Sequence, residues 1–253
     1  MGHFSILQCK NVEDHTCPGP SGSHEYNSVF VGWSRDGFYW HRPPKEQRVS
    51  FAPMDLNSDN YMRANGSAWN AEDVQSSGGG VVIAPGGRQL YTYVSGRNQR
   101  MQKLQTGMLS LRRDGYASLD ATASPVHLTT RPVRWDAALQ FMFVNYNGSA
   151  PLRVEVRDSV SGAAIAPFTL AQCTGVCGDT TRARVDWAGA PSDGLAAVAG
   201  RPVVLHFEWS APGSLFSFWL SEGKACGESR GYAGAGGPGM EGGRDMRGAC
   251  ASQ

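Results

Sequence analysis

The sequence predicts an all-β protein, and three observations carry that prediction. Apolar residues recur in short runs rich in β-branched and aromatic side chains, while helical periodicity is nearly absent. Turn residues punctuate these runs, with 32 glycines and 14 prolines among 253 residues. Charged residues make up 18% and aromatic residues 10% of the chain, a composition typical of an ordered globular protein with a sizeable core.

Three hairpins are predicted in the first half of the chain. Residues 29–34 and 38–42 flank one turn, and residues 81–83 and 89–96 flank another. Residues 108–113 and 116–121 flank Asp114-Gly115, a pair suited to a tight type I′ turn. Later strands are predicted over 126–135, 139–146, 152–158, 183–187, 203–209 and 215–220.

The strand over 152–158 is predicted to have one buried face and one solvated face, as in a β-sandwich. We expect it to pair with the strand over 139–146 through a turn at Asn147-Gly148. A single short helical turn is predicted within 192–200, ended by Gly200. The alternating residues are Leu152, Val154 and Val156 on the buried face, and Arg153, Glu155 and Arg157 on the solvated face.

Charge and motif content exclude several function classes. Lys plus Arg is 23 and Asp plus Glu is 22, so the chain lacks the basic footprint of a nucleic-acid-binding protein. No apolar stretch approaches the roughly 20 residues of a membrane helix, and the N-terminus does not resemble a signal peptide. The glycine-rich segment 76–80 lacks the Gly-Lys-Ser of a phosphate loop, and no zinc-ligand set is complete. We therefore predict no metal and no cofactor, and localisation stays open.

Five segments stand out in order along the chain: SRDGFYWHRP (34–43), VQSSGGGVVI (74–83), GMLSLRRDGYASLDA (107–121), LRVEVRDSVSG (152–162) and VAGRPVVLHFEW (198–209). The first two resemble the propeller strands and turns of glycoside hydrolase family 32. The last three resemble the C-terminal β-sandwich of those enzymes. The resemblance implies a partial five-bladed β-propeller at 29–104 and a β-sandwich at 105–222. Residues 1–28 match no part of that arrangement, and residues 223–253 form a glycine-rich tail.

The resemblance implies a carbohydrate-active protein that, in a full-length relative, hydrolyses glycosidic bonds with paired carboxylates and no cofactor. Retaining glycosidases need two carboxyl groups about 5–5.5 Å apart. The chain begins at what resembles the fourth blade, so the segment that bears the Asp nucleophile has no counterpart and catalytic residues stay unassigned. The alternative is a non-catalytic glycan-binding or interaction protein built on the same scaffold.

The best candidate ligand residues lie on either side of the second predicted hairpin (81–83 and 89–96). Trp69, Asp73 and Gln75 provide an aromatic face and polar groups, and Arg97 ends the next strand. These are the residue types that bind sugar rings and hydroxyls, although an ordinary solvated loop accounts for them as well. By contrast, the positions of Trp33, Tyr39 and Trp40 along the predicted strands favour the propeller core over a sugar platform.

Three further features are structural or modification candidates. Cys173 and Cys177 are close enough in sequence to form a disulfide, or equally to stay reduced. Asn65 and Asn147 each begin an N-glycosylation sequon. Asp36 in the turn SRDG is predicted to accept backbone hydrogen bonds rather than to serve as a catalytic acid.

Overall fold

The fold is all-β, as predicted, in a computed structural model of the chain. The model describes residues 2–9, 25–34, 37–44, 51–52, 69–70, 73–76, 80–98, 103–122, 124–224, 240–241 and 244–245. Its one helical element within these ranges is a 3₁₀ turn at Gly194–Val198, which confirms the short turn predicted over 192–200. None of the described helical structure is long and apolar enough to cross a membrane.

Fourteen strands are present in the described part of the chain. They are β1 Gly2–Cys9, β2 Glu25–Gly32, β3 Asp73–Ser76, β4 Val82–Ile83, β5 Gln89–Asn98, β6 Lys103–Arg112, β7 Leu119–Ala121, β8 Val126–Thr129, β9 Phe141–Asp158, β10 Val176–Val185, β11 Val203–Trp209, β12 Gly213–Ser221, β13 Met240–Glu241 and β14 Arg244–Asp245.

The chain divides into two compact units. The first unit comprises Met1–Val82 and Tyr91–Ser110, and the second comprises Ile83–Leu90 and Leu111–Gln253. The strands β5 and β6 each begin in one unit and end in the other.

The first unit is organised around a sheet in which β1, β2, β3 and β5 are successive neighbours and β6 pairs with β5. The pairing of β2 with β3 is parallel, whereas β3 pairs with β5 in antiparallel fashion. A small buried cluster of Val29, Ala52, Val74 and Val94 forms its core.

The second unit is organised around β9, which is 18 residues long. Its first part pairs with β12 and β10, and its last part pairs with β11, so that one strand serves several neighbours. The outer strands β7 and β8 complete the order β7-β12-β9-β11-β8. A large apolar core surrounds β9, and Leu152, Val154 and Val156 are fully buried within it, as the alternation predicts.

Glu155 departs from that alternation because it is buried on the face predicted to be solvated. Its carboxylate accepts hydrogen bonds from Arg157 Nε at 2.5 Å and from the backbone N–H of Leu170 at 3.2 Å. These partners replace the hydration that burial removes.

The predicted turn at Asn147-Gly148 is wrong, because both residues lie inside the continuous strand β9. Gly148 aligns with Gly178 on one side and with Gly213 on the other. Pairing on both sides satisfies the backbone groups that a turn would otherwise use.

The predicted hairpin around Asp114-Gly115 is also wrong. The chain does turn there, since Gly115 N–H donates to the Arg112 carbonyl at 2.9 Å and Asp114 has a φ of 53°. The flanking strands then separate, because β6 pairs with β5 whereas β7 pairs with β12.

The hairpin predicted over 29–42 is reduced, in the described residues, to the bridge between Trp33 and His41. Tyr39 and Trp40 are 76% and 47% exposed, so their prediction as core residues is wrong. They lie in the bend beyond the bridge and not on strand positions, and strand alternation therefore does not apply to them. The second hairpin is confirmed, since β4 pairs with β5.

Candidate ligand-binding face

Three of the four predicted ligand residues share one face of the first unit's sheet. In the antiparallel ladder of β3 and β5, Asp73 lies opposite Arg97 and Gln75 lies opposite Ser95. Because side chains alternate along a strand, Asp73, Gln75 and Arg97 project to the same side. The ladder thus joins residues that are 24 positions apart in the sequence. We call this surface, with Asn27, the Asp73 face.

Asn27 is the residue of this face that sequence reasoning missed. It lies on β2 as the parallel partner of Asp73, and its side-chain amide hydrogen-bonds to the Asp73 carboxylate. The available signal was an amide two residues before the apolar run VFVG of the strand EYNSVFVG.

The Asp73 carboxylate is less readily ionised than usual. Burial raises its pKa, and the hydrogen bond from Asn27, the charge of Arg97 and the hydrogen bond from Gln75 partly oppose that rise. Gln75 Nε2 donates to Asp73 Oδ2 at 3.2 Å. The face therefore combines a partly desolvated carboxylate with two amides and a guanidinium.

Two oxygen atoms on this face have unused hydrogen-bonding capacity. Asp73 Oδ1 and Asn27 Oδ1 are both buried and have no hydrogen-bond partner among the described residues. A buried acceptor without a partner costs about 1–3 kcal/mol. A ligand hydroxyl that reached either atom, after movement of the side chains that cover it, would recover that free energy.

Trp69 does not belong to the Asp73 face. A methyl group placed on Gly96 or on Gly107 would overlap the indole ring, so the ring lies directly over these two glycines. Gly96 is paired with Val74, on the opposite side of the ladder from Asp73. The ring packs against the cluster that contains Val74, and its role is that of a core residue.

The other candidates are distributed across the chain. Asn147 is exposed in the middle of β9, whereas Asn65 and Asp36 lie outside the described residues. Cys173 and Cys177 are both free thiols, which is the reduced alternative. Cys173 is buried and its Sγ accepts a hydrogen bond from Val154 N–H at 3.4 Å, while Cys177 is exposed.

Within the described ranges, no group of three or more His, Cys, Asp or Glu residues is placed to hold a metal ion.

Comparisons with protein-family models, with curated proteins and with solved structures find no match to the chain. Any proposal about function therefore depends on the resemblance of its motifs and on the chemistry of its side chains.

Proposed function

We propose that this protein is carbohydrate-active and binds a sugar on the Asp73 face. The proposal includes the architecture that the motifs imply, a partial propeller at 29–104 followed by a sandwich at 105–222, related to glycoside hydrolase family 32. Sugars carry hydroxyl groups that both donate and accept hydrogen bonds, and the face offers groups of both kinds.

The observation that carries the proposal is the pair of buried oxygens on Asp73 and Asn27 that have no hydrogen-bond partner among the described residues. Two adjacent hydroxyls of a sugar ring would donate to them. Arg97 and the amide of Gln75 would donate to the ligand's own oxygens. Charge-assisted hydrogen bonds to a carboxylate are among the stronger polar contacts, which makes Asp73 the central residue.

Binding is better supported than hydrolysis by the described residues. Asp73 is the single carboxylate whose side chain is described in the first unit. Retaining hydrolysis needs a second carboxyl group about 5–5.5 Å away. Hydrolysis of a glycosidic bond thus remains the proposal for a relative that has the complete propeller, and a non-catalytic glycan-binding role is the alternative for this chain.

The test begins with an array of immobilised neutral oligosaccharides probed with the full chain. Each oligosaccharide that is retained is then titrated by calorimetry against the wild type and Asp73→Asn. We expect the substitution to lower the affinity roughly tenfold or more, because a neutral amide accepts a hydroxyl hydrogen bond less strongly than a carboxylate does. Release of reducing sugar from the same oligosaccharides reports on hydrolysis.

Asp120→Asn is the matched control, since Asp120 is an exposed aspartate in the second unit. It should leave the affinity unchanged. The proposal fails if Asp73→Asn binds as the wild type does, or if its loss of binding is matched by a fall in melting temperature.

A further inference from the structure

A cleft in the second unit is lined by polar and charged side chains. It has a volume of about 480 Å³, within the range of small-molecule sites. The turn before β5 contributes Gly86 and Arg88, and β5 itself begins with Gln89. The end of β6 and the middle of β10 contribute Arg112, Asp179 and Thr181. We call it the arginine cleft.

The turn that presents Arg88 is held in a defined conformation. Pro85 and Gly86 occupy its central positions, Gly86 has a φ of 82°, and Gly87 N–H donates to the Ala84 carbonyl at 2.9 Å. This is the pattern of a type II turn, which favours proline followed by glycine. Arg88 therefore projects from a backbone that is ordered before any ligand binds.

The buried Arg113 fixes the same turn from behind. Its Nη1 donates to the Gly87 carbonyl at 3.2 Å, and its backbone N–H donates to the Arg88 carbonyl at 2.9 Å. The two guanidinium groups that line the cleft, those of Arg88 and Arg112, favour an anionic ligand.

The two arginines that line the cleft differ in how many donors they have left. Arg112 donates to Asn145, Asp179 and the carbonyls of Tyr146 and Thr180. Arg88 is exposed, and among the described residues its side chain makes a single hydrogen bond, from Nη2 to the Asp179 carbonyl at 3.2 Å. A guanidinium has five N–H donors, so Arg88 can bind an oxyanion while Arg112 maintains the framework.

Asp179 restricts the ligand further. Its side chain is 58% exposed, and its Oδ1 accepts a hydrogen bond from Arg112 Nη1. A bare anion would be repelled by this carboxylate, whereas a ligand with hydroxyl groups beside its anionic group would donate to it. Gln89 and Thr181 add further polar partners.

We propose that the arginine cleft binds an anionic saccharide, with the oxyanion on Arg88 and neighbouring hydroxyls on Asp179 and Gln89. The choice of a saccharide rests on the proposed function, but the cleft is separate in residues from the Asp73 face. The planar carboxylate of a uronic acid and the tripodal sulfate of a sulfate ester can both accept paired hydrogen bonds from a guanidinium.

The test uses the full chain and four probes: glucuronic acid, glucose 6-sulfate, glucose and inorganic sulfate. Binding is measured by titration calorimetry at low and at near-physiological salt. We expect one or both anionic sugars to bind with a dissociation constant in about the millimolar range, and more weakly at higher salt because exposed charges are screened. The ratio between glucuronic acid and glucose 6-sulfate identifies which oxyanion is preferred.

Arg88→Gln should lower the affinity for the preferred anionic sugar roughly tenfold or more, since a neutral amide loses the charged fork. Arg131→Gln, at another exposed arginine of the second unit, is the matched control and should have no effect. Asp73→Asn should leave this binding unchanged, so failure here is distinguishable from failure of the Asp73 face.

The proposal is overturned if no anionic sugar binds, or if Arg88→Gln binds as the wild type does. It is equally overturned if glucose binds as tightly as the anionic sugars. Inorganic sulfate that binds as tightly as glucose 6-sulfate would overturn the assignment to a saccharide.

Discussion

A side-chain hydrogen bond joins Arg112, at the end of β6, to Asn145 on β9. Arg112 Nε donates to Asn145 Oδ1 at 2.6 Å, and Asn145 Nδ2 donates to the carbonyl of the next residue, Arg113, at 2.5 Å. Asn145 is fully buried on β9, and the Arg112 guanidinium lies over the ring of Phe216 with its centre 4.7 Å away. One amide side chain therefore fixes the end of β6 to the central strand of the second unit.

The two strands that flank this part of β9, β10 and β12, both have an irregular register beside the contact. The register of β10 shifts between Thr180 and Ala183, and the register of β12 shifts between Leu215 and Ser217, next to the same part of β9. Such bulges free carbonyl groups and re-aim side chains. Arg112 donates to one of these carbonyls, that of Thr180, at 2.6 Å.

Asn145→Ala should lower the free energy of unfolding by about 2–4 kcal/mol, because it leaves a partly buried guanidinium N–H and a buried carbonyl without partners. Urea unfolding measures this as a lower midpoint with an unchanged slope. Asn147→Ala, two residues along the same strand but exposed, is the control and should change stability by less than about 0.5 kcal/mol. Equal effects of the two substitutions would contradict the role given to Asn145.

Asp114 is expected to make stability fall as pH rises. Burial raises its pKa from 3.8 to about 7, although the charge of Arg113 opposes the rise. Between these values the folded chain keeps a proton that the unfolded chain has lost, so stability decreases from pH 4 to pH 7 and then levels off.

Asp114→Asn should therefore be more stable than the wild type at pH 8 by about 1–3 kcal/mol and nearly equal to it at pH 4. Asparagine tolerates the φ of 53° at this position, so the backbone is not strained. Urea midpoints at the two pH values give the measurement, and the exposed Asp120→Asn is the matched control. A variant that is less stable than the wild type at pH 8 would show instead that the ionised carboxylate stabilises the fold.

The predictable parts of the fold were those set by local periodicity. Burial of Leu152, Val154 and Val156 follows from a two-residue repeat, which is a property of any half-buried strand. The dipeptide Asn147-Gly148 has a strong turn preference, yet it lies within β9 because its neighbours on both sides supply hydrogen bonds. Sequence contains no direct record of such long-range pairing.

The same difference between local pattern and long-range pairing applies to the candidate ligand residues. Asp73 and Gln75 share a face because they are two residues apart, which the sequence displays. That Arg97 lies opposite Asp73 depends on the register of two strands, and that Trp69 lies on the other side depends on contacts with two distant glycines. The residue types indicated all four candidates. Only the strand pairing shows that three of them share a face and that Trp69 lies on the other side.

Trp69 is expected to need glycine at the two positions beneath its ring. Gly96→Ala should lower the free energy of unfolding by about 1–3 kcal/mol, because the added methyl overlaps the indole and forces it to move. In a Trp69→Ala background the same substitution should cost much less, so a double-mutant cycle on unfolding free energies isolates the contact. Gly223→Ala, where a methyl would meet no atom closer than 3.9 Å, is the control. Additive effects of Gly96→Ala and Trp69→Ala would show that the ring does not lie over Gly96.

His206 is expected to oppose Asp114 by making stability fall as pH decreases. Its Nδ1 lies 2.8 Å from Thr129 Oγ1, and its ring stacks on His127 with centroids 5.3 Å apart. Burial lowers the pKa of His206 below 6.5, and the charges of Arg157 and His127 lower it further, against the opposite influence of Glu155 and Glu208.

The unfolded chain therefore gains a proton at about pH 6.5 while the folded chain does not, so the stability that His206 contributes is present above that pH and is lost as pH falls through it. His206→Asn keeps a hydrogen-bonding group near Thr129 but cannot be protonated. We expect its urea midpoint to fall less than that of the wild type between pH 7.5 and pH 5.5. His41→Asn, at an exposed histidine, is the control, and its midpoint should change as that of the wild type does. Because Asp114 acts in the opposite direction over the same range, the informative quantity is each variant's difference from the wild type at each pH. A His206→Asn variant whose midpoint falls as much as that of the wild type would show that His206 becomes protonated equally in the folded and unfolded chains.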